Sequence, residues 1–292
     1  MSNTEYIVPK MQTMIKNNEF IKSDIETVII PDGALCIGNY AFQNCKNLKT
    51  VIIPESVVSI GEGAFAGCKA LQSVSLPKHL YELRAQTFYE CESLKKITLP
   101  EKLAVIGTGA FGKSGIEEVI QTAPLEMILM HAFEDTPLKS APESRVIGHH
   151  AFYNCNNLKT LTITQNVKLI DQRAFSMCKS LKSVIVEDGK EDLVLGQSAF
   201  SDCIQLSEVF LINRVTYIGK GCFENTGLKR VYIPDSITAI NQYSFAYCQN
   251  LEKVIIPESV KEIRAYAFLH CPIKELYRPQ NINIEEGNDF II

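Results

Sequence analysis

Eleven phenylalanines recur along this chain at a nearly fixed interval, and that interval constrains the fold more than any other feature. Phe42, Phe65, Phe88, Phe111, Phe133, Phe152, Phe175, Phe200, Phe223, Phe245 and Phe268 are spaced 23, 23, 23, 22, 19, 23, 25, 23, 22 and 23 residues apart, and the whole chain holds only 14 phenylalanines. A period of roughly 20 to 50 residues marks a repeat architecture, in which each unit is too short to bury its own apolar face and is covered by its neighbours. A globular chain of 292 residues would be expected to split into two domains, yet no Pro/Gly/Ser-rich linker, low-complexity tract or run of like charge interrupts this one. One continuous repeated element is the simplest organisation. Its apolar fraction of 46% can build a core without metals or disulfides.

The repeat reads most clearly from Ile37 through Phe42, Cys45, Leu48, Val51, Ile53, Pro54 and Val57 to Ile60, where the next copy starts. Leu48, Val51 and Ile53 end in period-2 alternation rich in β-branched residues, which predicts a short strand with one face buried. Pro31, Pro54, Pro77, Pro100, Pro234 and Pro257 follow the strand, where a missing N–H does least harm. The A-F-x-x-C-x-x-L segment has i, i+3, i+6 apolar spacing, which predicts a short helical or 3-10 turn.

Laid out in series, L-x-x-V-x-I-P, V-x-x-I-G and A-F-x-x-C-x-x-L resemble the BspA-like leucine-rich-repeat family, from about Ile25 to Leu276. The resemblance implies an α/β repeat solenoid: a right-handed superhelix with a concave parallel β-sheet and short helical or 3-10 turns on the convex side. It also implies a surface or secreted protein that binds host or matrix proteins or other cells. The opening MSNTEYIVPK has neither a basic segment nor an apolar stretch of signal-peptide length, so the sequence as it stands is expected to be cytoplasmic.

Residues 25–279 are expected to form about eleven coils. Residues 1–24, with Phe20 lying 22 residues before Phe42, are expected to be a degenerate coil or capping helix, and residues 280–292 a C-terminal cap. The stretch 112–150 is irregular: its coils shorten, and Ser114 and Thr136 stand where other coils have Cys. A kink is expected over Ile116–His150.

Eight of the ten cysteines, Cys45, Cys68, Cys91, Cys155, Cys178, Cys203, Cys248 and Cys271, lie three residues after a repeat phenylalanine. Stacked coils would hold their Cβ atoms about 4.8 Å apart with parallel vectors, whereas a disulfide needs about 3.8 Å and facing vectors. A buried column of thiols is expected, without zinc, because no C-x-x-C pair exists. Gly107-Thr-Gly109-Ala-Phe-Gly112 spells G-x-G-x-x-G only because the repeat does, as in Ile60-Gly-Glu-Gly-Ala-Phe65, so no dinucleotide site is expected. His149 and His150 would point to opposite faces if they lay in a strand, and no H-E-x-x-H spacing accompanies them. No catalytic, cofactor or metal residues are assigned.

Lysine and arginine total 29 against 33 acidic residues and are spread along the chain, which argues against a nucleic-acid partner. No apolar run approaches the ~18 residues of a membrane span. What remains is a surface for another protein. The position between the last two apolar residues of each strand runs Ile29, Ile52, Ser75, Thr98, Ile120, Thr162, Ile185, Phe210, Tyr232, Ile255 and Tyr277. In the C-terminal half, Ile185, Phe210, Tyr232, Ile255 and Tyr277 should form an exposed apolar and aromatic row, with Glu208, Arg230, Lys253 and Glu275 as a charged rim. The competing explanation is ordinary strand composition. The expected protein is a monomeric, non-enzymatic, protein-binding scaffold; the alternative is an adhesive repeat that self-associates or binds matrix.

Overall fold

The computed structural model describes residues 5–288; residues 1–4 and 289–292, the outer parts of the two expected caps, lie outside them. The chain forms two compact units, one ending at Ser144 and one starting at Arg145. The division falls inside the irregular stretch 112–150. Each unit is a parallel-strand solenoid, and each coil contributes two short strands.

In the first unit Glu5–Ile7, Thr27–Ile29, Thr50–Ile52 and Ser73–Val74 pair in parallel in that order, and Lys96–Thr98 pairs with Glu118–Ile120. One coil separates successive partners, so equivalent residues line up: Ile7, Ile29 and Ile52 stand in one row. Val28 and Val51, on the opposite side of the pleat, are buried. A second row begins with Met14–Ile15, Cys36–Ile37 and Ser59–Ile60, in which Ile15, Ile37 and Ile60 align and point inward. The Gly61 that follows this strand would, with a Cβ, come 2.5 Å from the backbone nitrogen of Asn39 in the preceding coil, so coil-to-coil approach requires glycine here.

The second unit repeats the plan. Thr160–Ile163, Ser183–Val186 and Glu208–Phe210 form one ladder, and Arg230–Tyr232, Lys253–Ile255 and Glu275–Tyr277 another. Its inner row includes Leu169–Ile170, Leu193–Leu195 and Val215–Ile218, and then Ala239–Ile240, Glu262–Ile263 and Asn283–Ile284.

The expected helical or 3-10 turns do not form: among the described residues there is no helix, so the architecture is all-β and not α/β. The reason lies in the backbone two residues before and two after each repeat phenylalanine. Tyr40 and Asn44 have φ of 55° and 58°, and the same left-handed pair recurs around every repeat phenylalanine, as in Gln86 and Glu90. A residue at positive φ cannot continue a right-handed helix. The amides then alternate in direction. Tyr40, Phe42 and Asn44 donate to Glu62, Ala64 and Ala66 of the next coil, while Gln43 and Cys45 donate locally to Tyr40 and Phe42. These corners are thus a third inter-coil ladder, built of turns.

The core is the phenylalanine column. In the first unit Phe20, Phe42, Phe65, Phe88, Phe111 and Phe133 stack with centroid separations of 5.1, 5.4, 5.5, 5.5 and 5.2 Å. In the second, Phe152, Phe175, Phe200, Phe223, Phe245 and Phe268 follow at 4.9, 5.5, 5.5, 5.5 and 5.3 Å. The rings are nearly parallel because the coil rise, not ring preference, sets their spacing, and each contact adds roughly 0.5–1.5 kcal/mol beyond its buried area.

Nine of the ten thiols are buried beside this column, Cys36 is half-buried, and no disulfide joins them. Those that follow a repeat phenylalanine by three residues reach back one coil: the Sγ of Cys68 and of Cys91 donates to the carbonyl of Phe42 and of Phe65 at 3.1 and 3.2 Å, and Cys45, Cys178, Cys203, Cys248 and Cys271 do likewise. At Thr136 and Thr226 the hydroxyl turns instead to its own coil's phenylalanine carbonyl, at 2.8 and 3.0 Å.

The two ends differ. Phe20 stacks on Phe42, Tyr6 packs edge-on against Phe20 at 4.9 Å, and the strands Glu5–Ile7 and Met14–Ile15 join both rows, so the N-terminal segment is a coil. At the C-terminal end, side chains supply what another coil would. Asn288 Oδ1 accepts the amide of Phe268, Glu285 Oε2 accepts that of Ala265, and the Asn288 amide donates to Arg264 and Glu285 carbonyls.

One buried cation belongs to the framework. Arg214 occupies the position held elsewhere by Ser56 and Ser236, each of which donates a hydroxyl to a neighbouring carbonyl at 2.7 Å. Its guanidinium donates to the carbonyls of Glu187, Val167, Glu191 and Thr164 at 2.7, 3.0, 3.2 and 2.7 Å. The long coil between Phe175 and Phe200, which carries an insertion around Asp188, is held by this side chain together with Arg145, which pairs with the Glu191 carboxylate at 2.9 Å.

Candidate functional site

In the second unit the alternation of each strand sends Val184, Val209, Val231, Val254 and Leu276 inward and the intervening residues outward. Thr162, Ile185 and Phe210 are direct partners on one ladder, and Tyr232, Ile255 and Tyr277 on the next. Ile185, Phe210, Tyr232 and Tyr277 are 43%, 51%, 49% and 55% exposed, and Ile255 is partly covered. The fold thus places all five expected residues on one face, with large apolar side chains held in water by the strand period.

Between Glu208–Phe210 and Arg230–Tyr232 the ladder is interrupted: the two belong to separate sheets. A cavity of about 210 Å³ opens there, lined by Glu208, Val209, Phe210, Arg230 and Tyr232. Sequence reading located the residues and not this gap, which follows from a failure of backbone pairing that no side chain announces.

The charged rim divides into two kinds. Lys253 donates to Glu275 Oε2 at 2.6 Å, and its Nζ sits 5.4 Å from the Tyr277 ring centre. The hydrogen bond to Glu275 raises the lysine pKa. Arg230 and Glu208 are exposed, and among the described residues neither takes part in an ion pair.

A second apolar surface is read from the sequence only in part: the outward column includes Ile29 and Ile52 but not Ile7, and is not taken as a surface in this half. In the first unit Ile7, Ile29 and Ile52 form the same row, and with Ile30, Pro31 and Pro54 they line an open cavity of about 670 Å³. The signal was present, since Ile7 precedes Ile29 by the same 22 residues that separate Phe20 from Phe42. Ser75 and Thr98 interrupt the row with exposed polar side chains.

The G-x-G-x-x-G string is one coil corner. The amides of Gly107, Gly109 and Gly112 donate to carbonyls of Leu83, Met130 and Gly109, so none is left to cradle a phosphate. His149 and His150 lie in a turn, not a strand, and the positive φ of His150 brings their ring centres to 4.1 Å instead of setting them on opposite faces. His131 Nδ1 lies 2.9 Å from Glu134 Oε2. No helix among the described residues is long and apolar enough to cross a membrane.

Among known proteins, the family model described as BspA type leucine rich repeat region matches in six copies, over residues 13–139, 138–248 and 193–290. A leucine-rich repeat protein from Bacteroides ovatus is 28% identical, with a TM-score of 0.74 over 97% of this chain and 70% of that one. A leucine rich cell surface protein from Faecalibacterium prausnitzii is 25% identical, with a TM-score of 0.56 over 98% of this chain and 92% of that one. The pneumococcal vaccine antigen PcpA, 16% identical with a TM-score of 0.51 over 99% of this chain and 82% of that one, shares the fold. No curated protein matches the chain in sequence.

Proposed function

We propose, for a chain that belongs to the BspA type leucine rich repeat family, a role as a non-enzymatic scaffold that holds another protein on the strand face of its second unit. The contact surface is the row Ile185, Phe210, Tyr232, Ile255 and Tyr277, with Glu208, Arg230 and Lys253 as its rim. The observation that carries this reading is the outward projection of Phe210, Tyr232 and Tyr277, each about half exposed, on consecutive strands. Isolated exposed apolar residues are ordinary, but a contiguous row of aromatic side chains flanked by charge is the composition of a contact site. The likeness to a cell-surface protein supports placement outside the cell. The thiol column suits either compartment, because buried, parallel thiols cannot pair.

The test is the triple variant Phe210→Ser, Tyr232→Ser, Tyr277→Ser, compared with the parent in affinity capture from the extracellular milieu. Far-UV CD and the melting point should change little, because these side chains are already solvated, and capture should weaken by at least tenfold. A collapse of stability would place the row in the core and overturn the reading. The apolar row Ile7, Ile29 and Ile52 beside an open strand edge favours self-association as a second reading. Light scattering over a range of protein concentrations decides it, since a scaffold of the first kind stays monomeric.

A further inference from the structure

The residue just before each strand of this face, with its equivalent Lys139 in a coil that has no strand there, forms a column along the edge of the strand face, and its charge is paired in some coils and not in others. In the first unit cross-coil pairs neutralise it: Lys49 meets Glu26 at 2.7 Å, Lys139 meets Glu117 at 2.7 Å, and one residue further on Lys96 meets Glu118 at 3.0 Å. In the second unit the same column runs Lys159, Lys182, Ser207, Lys229, Glu252 and Lys274; Lys274 meets Glu252 at 2.6 Å, which leaves Lys159, Lys182 and Lys229, with Arg230 adjoining. These four are exposed, and among the described residues none has a carboxylate within 4.0 Å. Lys159 and Lys182 are immediate neighbours, the amide of Lys182 donating to the Lys159 carbonyl at 2.8 Å. Like charges stacked on adjacent strands repel, whereas opposite charges there stabilise by roughly 0.2–1 kcal/mol per pair. The second unit pairs Lys253 with Glu275 and Lys274 with Glu252, but keeps the repulsion between Lys159 and Lys182 and leaves Lys229 and Arg230 without an acid beside Tyr232. The chain as a whole is acidic, at -4.

We infer that this edge selects an acidic partner: an extended segment of another protein in which carboxylates alternate with aromatic or aliphatic side chains. The apolar side chains lie on the row, one of them entering the cavity between Phe210 and Tyr232, and the carboxylates meet Lys159, Lys182, Lys229 and Arg230. The inference rests on the proposed function and adds the partner's chemistry. A polypeptide fits better than a nucleic acid because the row mixes aliphatic Ile185 and Ile255 with its aromatic rings, matching apolar side chains more than a run of stacked bases.

The test is fluorescence anisotropy of the full chain with fluorescein-labelled probes: twelve-residue peptides alternating Asp with Leu and Tyr, Lys with Leu and Tyr, or Asp with Ser, and a twelve-nucleotide uridine RNA. The Asp/Leu/Tyr probe should bind at least tenfold tighter than the other peptides and the RNA, and should weaken as sodium chloride rises from 50 to 300 mM. Lys182→Glu with Lys229→Glu should lower its affinity at least tenfold with an unchanged CD spectrum. If those charge reversals leave binding untouched while Phe210→Ser removes it, the inference fails and the row remains the contact surface. If Phe210→Ser leaves all peptide binding intact, the row reading fails with it. Tighter binding of the RNA, or of no probe at all, overturns the inference as well.

Discussion

Phe65→Ala should cost the first unit about 4 kcal/mol, near the top of the range for core truncations. Phe65 has no exposed surface and is stacked on both sides, at 5.4 Å from Phe42 and 5.5 Å from Phe88. Truncation removes the transfer term and leaves a void that the coils cannot close, because three inter-coil ladders fix their spacing. The amide of Phe65 donates to Thr87 of the next coil, so the backbone around the void is held as well. Phe20, half-buried in the first coil, should lose about 2 kcal/mol or less on the same change, since water fills its site. Urea unfolding followed by far-UV CD measures both. A cost below about 1 kcal/mol at Phe65 would mean that the column is not the core.

The larger effect is alkaline. Burial pushes the thiols of Cys68, Cys91, Cys178, Cys203 and Cys222 far above their ordinary value of 9.0, and that of Cys45 to about 11. In the unfolded chain these groups lose their protons near pH ~9. Below that pH both states are protonated and the thiols contribute their full stabilisation. Above it the folded chain binds more protons than the unfolded one, so stability falls as pH rises. Each such thiol removes ~1.4 kcal/mol per pH unit, and three lie in each unit, so at pH ~10 each unit should have lost about 4 kcal/mol, comparable with the whole stability of a small domain. Under reducing conditions, chemical denaturation between pH 7 and 10.5 should show stability flat to about pH 8.5 and then falling steeply. Replacing the six cysteines with alanine should flatten that fall, even though the variant is less stable at pH 7. An alkaline limb identical in both proteins would show that the thiols are not buried in the folded state.

Much of this was legible in the sequence, for a physical reason. A solenoid stacks equivalent positions, so a residue type that suits one coil suits all, and selection writes the same letter every 23 residues: Phe for the core, Cys for the reach to a phenylalanine carbonyl, Val and Ile for the strand. The exposed row was legible because strand parity has period 2 and needs no tertiary information. The corners were misread as helical because i, i+3, i+6 spacing fits a helix and a stacked turn equally. The distinguishing sign lay two residues after each phenylalanine, where Asn44, Gly67, Asp135, Asn154, Asp202 and Asn225 are types that tolerate positive φ. Glu90, Lys113 and Met177 at the same position obscured it. Arg214 was not legible. A serine-to-arginine change in one coil reads as drift, and its meaning depends on four carbonyls from three other segments. The unpaired Lys159, Lys182 and Lys229 escaped notice because a composition count sees total charge and not which cation lacks an acid.

The central claim is that the coils are interchangeable layers, each completed only by its neighbours. Deletion of Gly61–Leu83, 23 residues, joins Ile60 to Arg84 and restores the repeat, whereas deletion of Gly61–Gln72, 12 residues, destroys its register. Thermal unfolding by far-UV CD compares the two. The full-coil deletion should fold cooperatively, with the parent's spectrum per residue and a melting point lowered by only a few degrees, and the half-coil deletion should leave the first unit unfolded. Should the two deletions behave alike, or the full-coil deletion fail to fold, the account of a stack of equivalent coils is wrong.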